Sequence, residues 1–141
     1  MMTNSFSHIT AYLDNHPQVS AVWLFGSLAA GKGGRNSDID IAVLFVPGLS
    51  KYERFDLRLS LAGELARLAG READVVDMET APLYLQHQVR KTGRLIVEKD
   101  HTYRVGFDVR SRRTYFDFAP VLELRNRRLI QRATGGGMQD G

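Results

Sequence analysis

Two aspartates separated by one residue, Asp38 and Asp40, stand at the head of an apolar run, Ile41-Ala42-Val43-Leu44-Phe45-Val46. Upstream, the pair Gly26-Ser27 closes another such run, Val22-Trp23-Leu24-Phe25. Carboxylates hold hard cations such as Mg²⁺, and a glycine-serine turn lets backbone N–H groups and a hydroxyl approach a phosphate. Together they are equipment for chemistry on a nucleoside triphosphate. Apolar runs bounded by Gly-rich segments read as buried strands, in which side chains two apart share a face, roughly 6.5–7 Å apart. Asp38 and Asp40 therefore face one way, and Ile39 and Ile41 pack the other way. Asp38 alone would suit a turn or cap after Asn36-Ser37. An unpaired carboxylate inside a buried strand costs several kcal/mol, so Asp40 calls for a neutralising partner, and a metal is the simplest one.

The remaining elements must place these groups. Ser5 to Asn15 has helical spacing (Phe6, Ile9, Leu13) up to Pro17. Val19 to Phe25 is the first strand, and Asp38 to Val46 the second, stopped by Pro47-Gly48. Between them, Lys32 and Arg35 put positive charge in a loop loosened by Gly31, Gly33 and Gly34, which serves equally well as a solvated loop. Ser50 and Glu53 form a capping box for a helix that Gly70 ends, with an apolar stripe at Phe55, Leu59, Ala62, Ala66 and Ala69, widened by Leu61, Leu65 and Leu68. Ala73 to Met78 is the third strand. It carries Asp74 and Asp77, three apart and so on opposite faces, and only one of them can join Asp38 and Asp40. Leu83 to Thr92 reads as a helix ended by Gly93, and Arg94 to Glu98 as a short fourth strand, at an edge of the sheet. From His101 the pattern is helical and rich in arginine and aromatics, with an interruption or kink expected at Pro120. His8, His16 and His87 are given no chemical role.

The domain expectation is a core over 1–100, a helical extension over 101–133 and a Gly-rich disordered tail over 134–141. The fold class is α+β, an α/β two-layer arrangement of a small mixed β-sheet with flanking helices. The chain has 141 residues, enough for one compact domain, and no cysteine, which excludes disulfides, thiolate metal sites and a cysteine nucleophile. No apolar run is long enough for a membrane span and no secretory signal opens the chain, so the expected location is cytoplasmic. A net charge of +3 leaves nucleotides, nucleic acid or an acidic partner open.

Gly26-Ser27, ten intervening residues, Asp38-Ile39-Asp40 and the later Ala73-Asp74-Val75-Val76-Asp77 segment together resemble the minimal nucleotidyltransferases of the DNA polymerase β-like superfamily. The likeness is strongest over residues 20–80. The whole chain is most similar to the MntA antitoxins of HEPN/MNT toxin–antitoxin pairs, by its length, its Ser37-Asp38-Ile39-Asp40-Ile41-Ala42-Val43 run and its Arg-rich helical C-terminus. The resemblance implies an enzyme that transfers AMP from ATP to a tyrosine hydroxyl of a HEPN-type ribonuclease toxin and so silences it. It implies that Asp38, Asp40 and Asp74 ligate Mg²⁺, two ions in the active complex, with Asp74 also accepting the proton of the attacking hydroxyl. It assigns Gly26 and Ser27 to the outer phosphates, with Lys32 and Ser37 beside the nucleotide. Many relatives carry a basic residue where Ala30 stands, a departure for which Lys32 is near enough to substitute. The implied partners are the toxin and ATP, with no membrane and no direct nucleic-acid binding expected. Two other readings stay open: transfer to another acceptor, such as an RNA end or a small molecule, and a non-catalytic antitoxin that acts by covering its partner.

Overall fold

The computed structural model describes residues 2–26 and 38–139. Along the chain run α1 (Met2–Asp14), β1 (Val19–Phe25), β2 (Ile39–Phe45), α2 (Lys51–Ala69), β3 (Ala73–Asp77), α3 (Leu83–Thr92), β4 (Arg94–Glu98) and α4 (His101–Gln139). The four strands form one sheet in the order β3-β2-β1-β4. β1 is antiparallel to both β2 and β4, while β2 and β3, joined through α2, are parallel. This is the mixed sheet of an α+β fold, with β4 at one edge as expected.

Strand alternation divides the core. Ile39, Ile41, Val43 and Phe45 of β2 pack with Val22, Val75 and the buried residues Ile9, Leu13, Leu61 and Leu65 of α1 and α2. Ala42 and Leu44 face the other way, with Ala21, Trp23, Met78, Val89 of α3 and Phe107 of α4. Helices thus cover both faces of the sheet rather than forming a single layer.

Local chemistry sets the ends of α2. The Ser50 hydroxyl accepts from the Glu53 amide at 3.1 Å, and the Glu53 carboxylate accepts from the Ser50 amide at 3.0 Å. At the other end, Gly70 takes the left-handed conformation (φ 67°) and donates its N–H to the Ala66 carbonyl. Most of the stripe read from the sequence packs inward, Ala62 and Ala69 included, and two of its residues do not. Leu57, Leu61, Leu65 and Leu68 turn inward, whereas Phe55 and Leu59 are half exposed. Both rows repeat at helical spacing, and the packing against β3 and α1 selects between them.

α4 is continuous over its length. Pro120 does not interrupt it, and it runs through Gln139, into the segment expected to be disordered. Proline removes a hydrogen bond to the carbonyl of Phe116, a residue 65 % exposed, so water can take the vacated acceptor. Extending an existing helix needs no new nucleus, which lets the glycines near the end follow the ladder.

One polar group ties the second face together. Gln86 of α3 is buried, donates to the carbonyls of Met78 (2.8 Å) and Ala81 (3.1 Å), and accepts from the Ser111 hydroxyl of α4 at 2.6 Å. Removing it strands two carbonyls and a hydroxyl in the interior, each at a cost of about 1–3 kcal/mol. Gln86→Ala is expected to lower unfolding free energy by roughly 2–4 kcal/mol, measured by urea denaturation. Ser111→Ala, which leaves the carbonyls bonded, should cost less than half as much.

Candidate active site

The acids of the Asp-x-Asp pair stand where β2 begins. Asp38 precedes the strand and is exposed; Asp40 is its second residue and is partly buried. In the parallel β2–β3 pairing, Asp40 is the direct partner of Asp74, with Ile39 beside Ala73 and Ile41 beside Val75. Paired residues of neighbouring strands share a face. Asp40 and Asp74 therefore project side by side, on the face of Ala42 and Val76, at the end of the sheet where β1 finishes. Their mutual influence is direct: burial, then the Asp74 carboxylate, then that of Asp38 push the Asp40 carboxyl above the ordinary aspartate range.

Asp77 has a different task. It lies on the opposite face, buried, with its carboxylate 3.0 Å from the Nε atom of Arg54 on α2 and accepting the Glu79 amide at 3.0 Å. Arg54 also pairs with Glu79 at 2.8 Å, and Glu79 accepts the Tyr103 hydroxyl of α4 at 2.8 Å. Burial raises the Asp77 carboxyl, and the Glu79 amide and Arg54 partly counter that rise. Of the two acids on β3, Asp74 is the one brought to Asp38 and Asp40. The Asp77–Arg54–Glu79–Tyr103 chain ties α2, β3 and α4 together, and no sequence motif announces it, because its members lie on three separate elements.

Gly26 shows why a glycine ends β1. Phe25 pairs with Asp40 across the antiparallel ladder, so residue 26 lies against the Asp40 carboxylate. A Cβ at Gly26 would overlap the Oδ2 atom of Asp40 and stand 3.0 Å from its Cγ. Its φ of 78° is also one that L side chains avoid. Ser27, Lys32 and Ser37, the other residues assigned to the nucleotide, lie outside the described residues.

The donor set suits a hard divalent cation: three carboxylates, one partly desolvated, none with an ion-pair partner among the described residues. No group of three His, Asp or Glu side chains is drawn tightly enough to hold a single ion, again among the described residues. Asp38 and Asp74 are exposed, and like charges repel one another. Two concavities formed by the described residues lie away from the acids. One of about 370 Å³ between α3 and α4 is lined by Glu79, Gln86, Phe107 and Arg110, and one of about 440 Å³ beside α2 by Tyr52, Phe55 and Arg58. Neither includes Asp38, Asp40 or Asp74, and the acids are the better guide to chemistry because they carry the clustered charge.

Residues 7–102 match the family described as Polymerase beta, Nucleotidyltransferase, more than half of the chain. The chain belongs to that family. It is 40% identical over 81 residues to the protein adenylyltransferase MntA of Shewanella oneidensis, a stretch covering 57% of this chain and 55% of that protein, so it spans about half the length of that curated relative. Among solved structures, it resembles a chain of a toxin–antitoxin complex with AMP-PNP (TM-score 0.71, 28% identity, 92% of this chain and 99% of that one). It also resembles a chain of the tri-AMPylated Shewanella oneidensis HEPN toxin in complex with MNT antitoxin (TM-score 0.69, 26% identity, 92% and 99%).

Two outcomes follow from the geometry. Gly26→Ala should cost roughly 1–2 kcal/mol of stability from backbone strain alone, seen in chemical denaturation, and should displace the Asp40 carboxylate. Asp40→Asn should melt at a higher temperature than the unmodified chain in metal-free buffer at neutral pH. A carboxyl whose folded pKa is raised weakens the folded state above that pKa, and the penalty disappears as pH falls through it towards the unfolded value. The gap between the two melting curves should therefore close on acidification; a constant gap from pH 7 to pH 4 would show that repulsion at Asp40 is not its source.

Proposed function

We propose that this nucleotidyltransferase transfers AMP from ATP to a tyrosine hydroxyl of a HEPN-type ribonuclease and so acts as its antitoxin. The observation that carries the reading is the lateral pairing of Asp40 with Asp74 beside Gly26, an acid cluster at the end of β1. The likeness to MntA and to chains from complexes with AMP-PNP and with an AMPylated HEPN toxin supports the choice of nucleotide and acceptor.

Asp38, Asp40 and Asp74 would hold Mg²⁺, two ions in the active complex, which supplies charge neutralisation at the triphosphate and lowers the pKa of a coordinated hydroxyl. Asp40, fixed against Gly26, has the least freedom of the three acids and serves as the anchor. Asp74, exposed at the free side of β3, is the acid an incoming hydroxyl meets, and it takes the tyrosine proton. A phenol of pKa near 10 needs that help at neutral pH. The tyrosine oxygen bonds to the α-phosphorus as the bond to the bridging oxygen breaks, and pyrophosphate leaves with that electron pair. Gly26 lets the backbone after β1 approach the phosphates, with Ser27, Lys32 and Ser37 as their further contacts.

The test is mass spectrometry of a HEPN-type ribonuclease incubated with the chain, ATP and Mg²⁺, where an increment of one or more AMP units on tyrosine is expected. Asp74→Asn should slow transfer by at least about 100-fold while binding persists. Asp77→Asn, altered on the other face, should leave transfer within a few-fold of normal and lower stability instead. A ribonuclease silenced yet unmodified would favour the covering antitoxin, and AMP appearing on RNA ends instead would move the acceptor.

A further inference from the structure

α4 has 39 residues and α3, which packs on it, has 10, or about 58 Å against 15 Å. They meet along the first part of α4, where Gln86 bonds Ser111 and His87 stacks on Tyr115 with ring centroids 3.9 Å apart. Along this part, Tyr103, Phe107, Ser111 and Thr114 follow at three- and four-residue steps and turn inward, with Phe107 and Ser111 buried. The same steps continue through Phe118, Val121, Arg125 and Leu129. There Phe118 is 51 %, Val121 56 % and Leu129 57 % exposed. The face that seals α4 against α3 thus carries exposed apolar residues farther along the helix, with Arg125 among them. Scattered surface hydrophobics need no explanation, but a row in line with a built interface marks a continuation of it.

Charge selects the occupant. Between Arg110 and Arg132 stand seven arginines and two carboxylates, Asp117 and Glu123, and Glu123 is already paired with Arg127 at 3.2 Å. A second copy of this segment would set arginine against arginine, whereas an acidic partner is drawn to it. We propose that the row Phe118–Val121–Leu129 seats an acidic amphipathic helix of the partner protein, lying on the same side of α4 as α3 and prolonging the α3–α4 contact. This rests on the reading that the partner is a HEPN-type ribonuclease, and adds the face that holds it and the shape of what it holds.

The experiment measures complex formation between the full chain and a co-expressed HEPN-type ribonuclease, by calorimetry and light scattering, with AMP transfer followed separately. V121E/L129E changes two exposed residues outside the core, so its melting temperature should stay near that of the unmodified chain while affinity falls roughly 100-fold. V105E/V109E alters exposed apolar residues on the opposite side of α4 and should bind normally. Affinity should also weaken as salt is raised. Unchanged binding by V121E/L129E, loss of binding by V105E/V109E instead, absence of any complex with the unmodified chain, or a homodimer that V121E/L129E dissolves would each overturn the proposal. A chain that binds through this row but leaves its partner unmodified would uphold it and overturn the transfer reading alone.

Discussion

The parallel pairing of β2 with β3 is the constraint on which the candidate site depends. Asp40 and Asp74 are far apart in sequence and become neighbours because these strands run the same way and in register. Parallel strands cannot be joined by a tight turn, so the link must be a crossover, and α2 provides it. The capping box at Ser50 and the left-handed Gly70 fix where that helix starts and stops. Leu61 and Leu65 anchor it to the apolar face of the same strands. A slip of one residue in this pairing would send Asp74 to the α2 side and bury it without a partner.

The two faces of the sheet divide the labour between cohesion and chemistry. On one, Ile39, Ile41 and Val75 carry the packing with α1 and α2. On the other, Asp40 and Asp74 occupy the end of the strands, and only farther along do Ala42, Leu44 and Val76 pack under α3 and α4. The acids thus sit at the margin of the core, where Asp38 and Asp74 keep contact with water and only Asp40 is partly withdrawn from it. That gradient in solvation sets Asp40 apart, since burial is the leading cause of its raised carboxyl pKa.

Polar contacts connect the end of β3 to the long C-terminal helix. Gln86 joins the turn after β3 to α3 and α4, and Glu79 joins the same turn to α2 through Arg54 and to α4 through Tyr103. Burial and the neighbouring Glu79 carboxylate push the Tyr103 phenol up to about 12, which keeps it protonated and donating throughout the physiological range. α4 is thus bonded directly to the turn that follows β3.

The local signals were readable from the residues themselves. Period-two alternation separated Asp38 and Asp40 from Ile39 and Ile41, the Ser50–Glu53 pair marked a helix start, and Gly70 marked its end, because each depends on neighbours within a few positions. Asp74 and Asp77 could be placed on opposite faces for the same reason, yet the sequence held no means of telling which face met Asp40. That choice required the register of two strands separated by a whole helix. The inward face of α2 was undetermined in the same way, since Phe55–Leu59 and Leu57–Leu61 repeat with equal spacing and only the sheet distinguishes them. Gly26 was legible as a turn residue, but its second reason, the Asp40 carboxylate lying where a Cβ would be, arises only across the β1–β2 ladder. Spacing along a chain fixes which side chains share a face; which faces meet is decided by the packing of segments far apart in sequence.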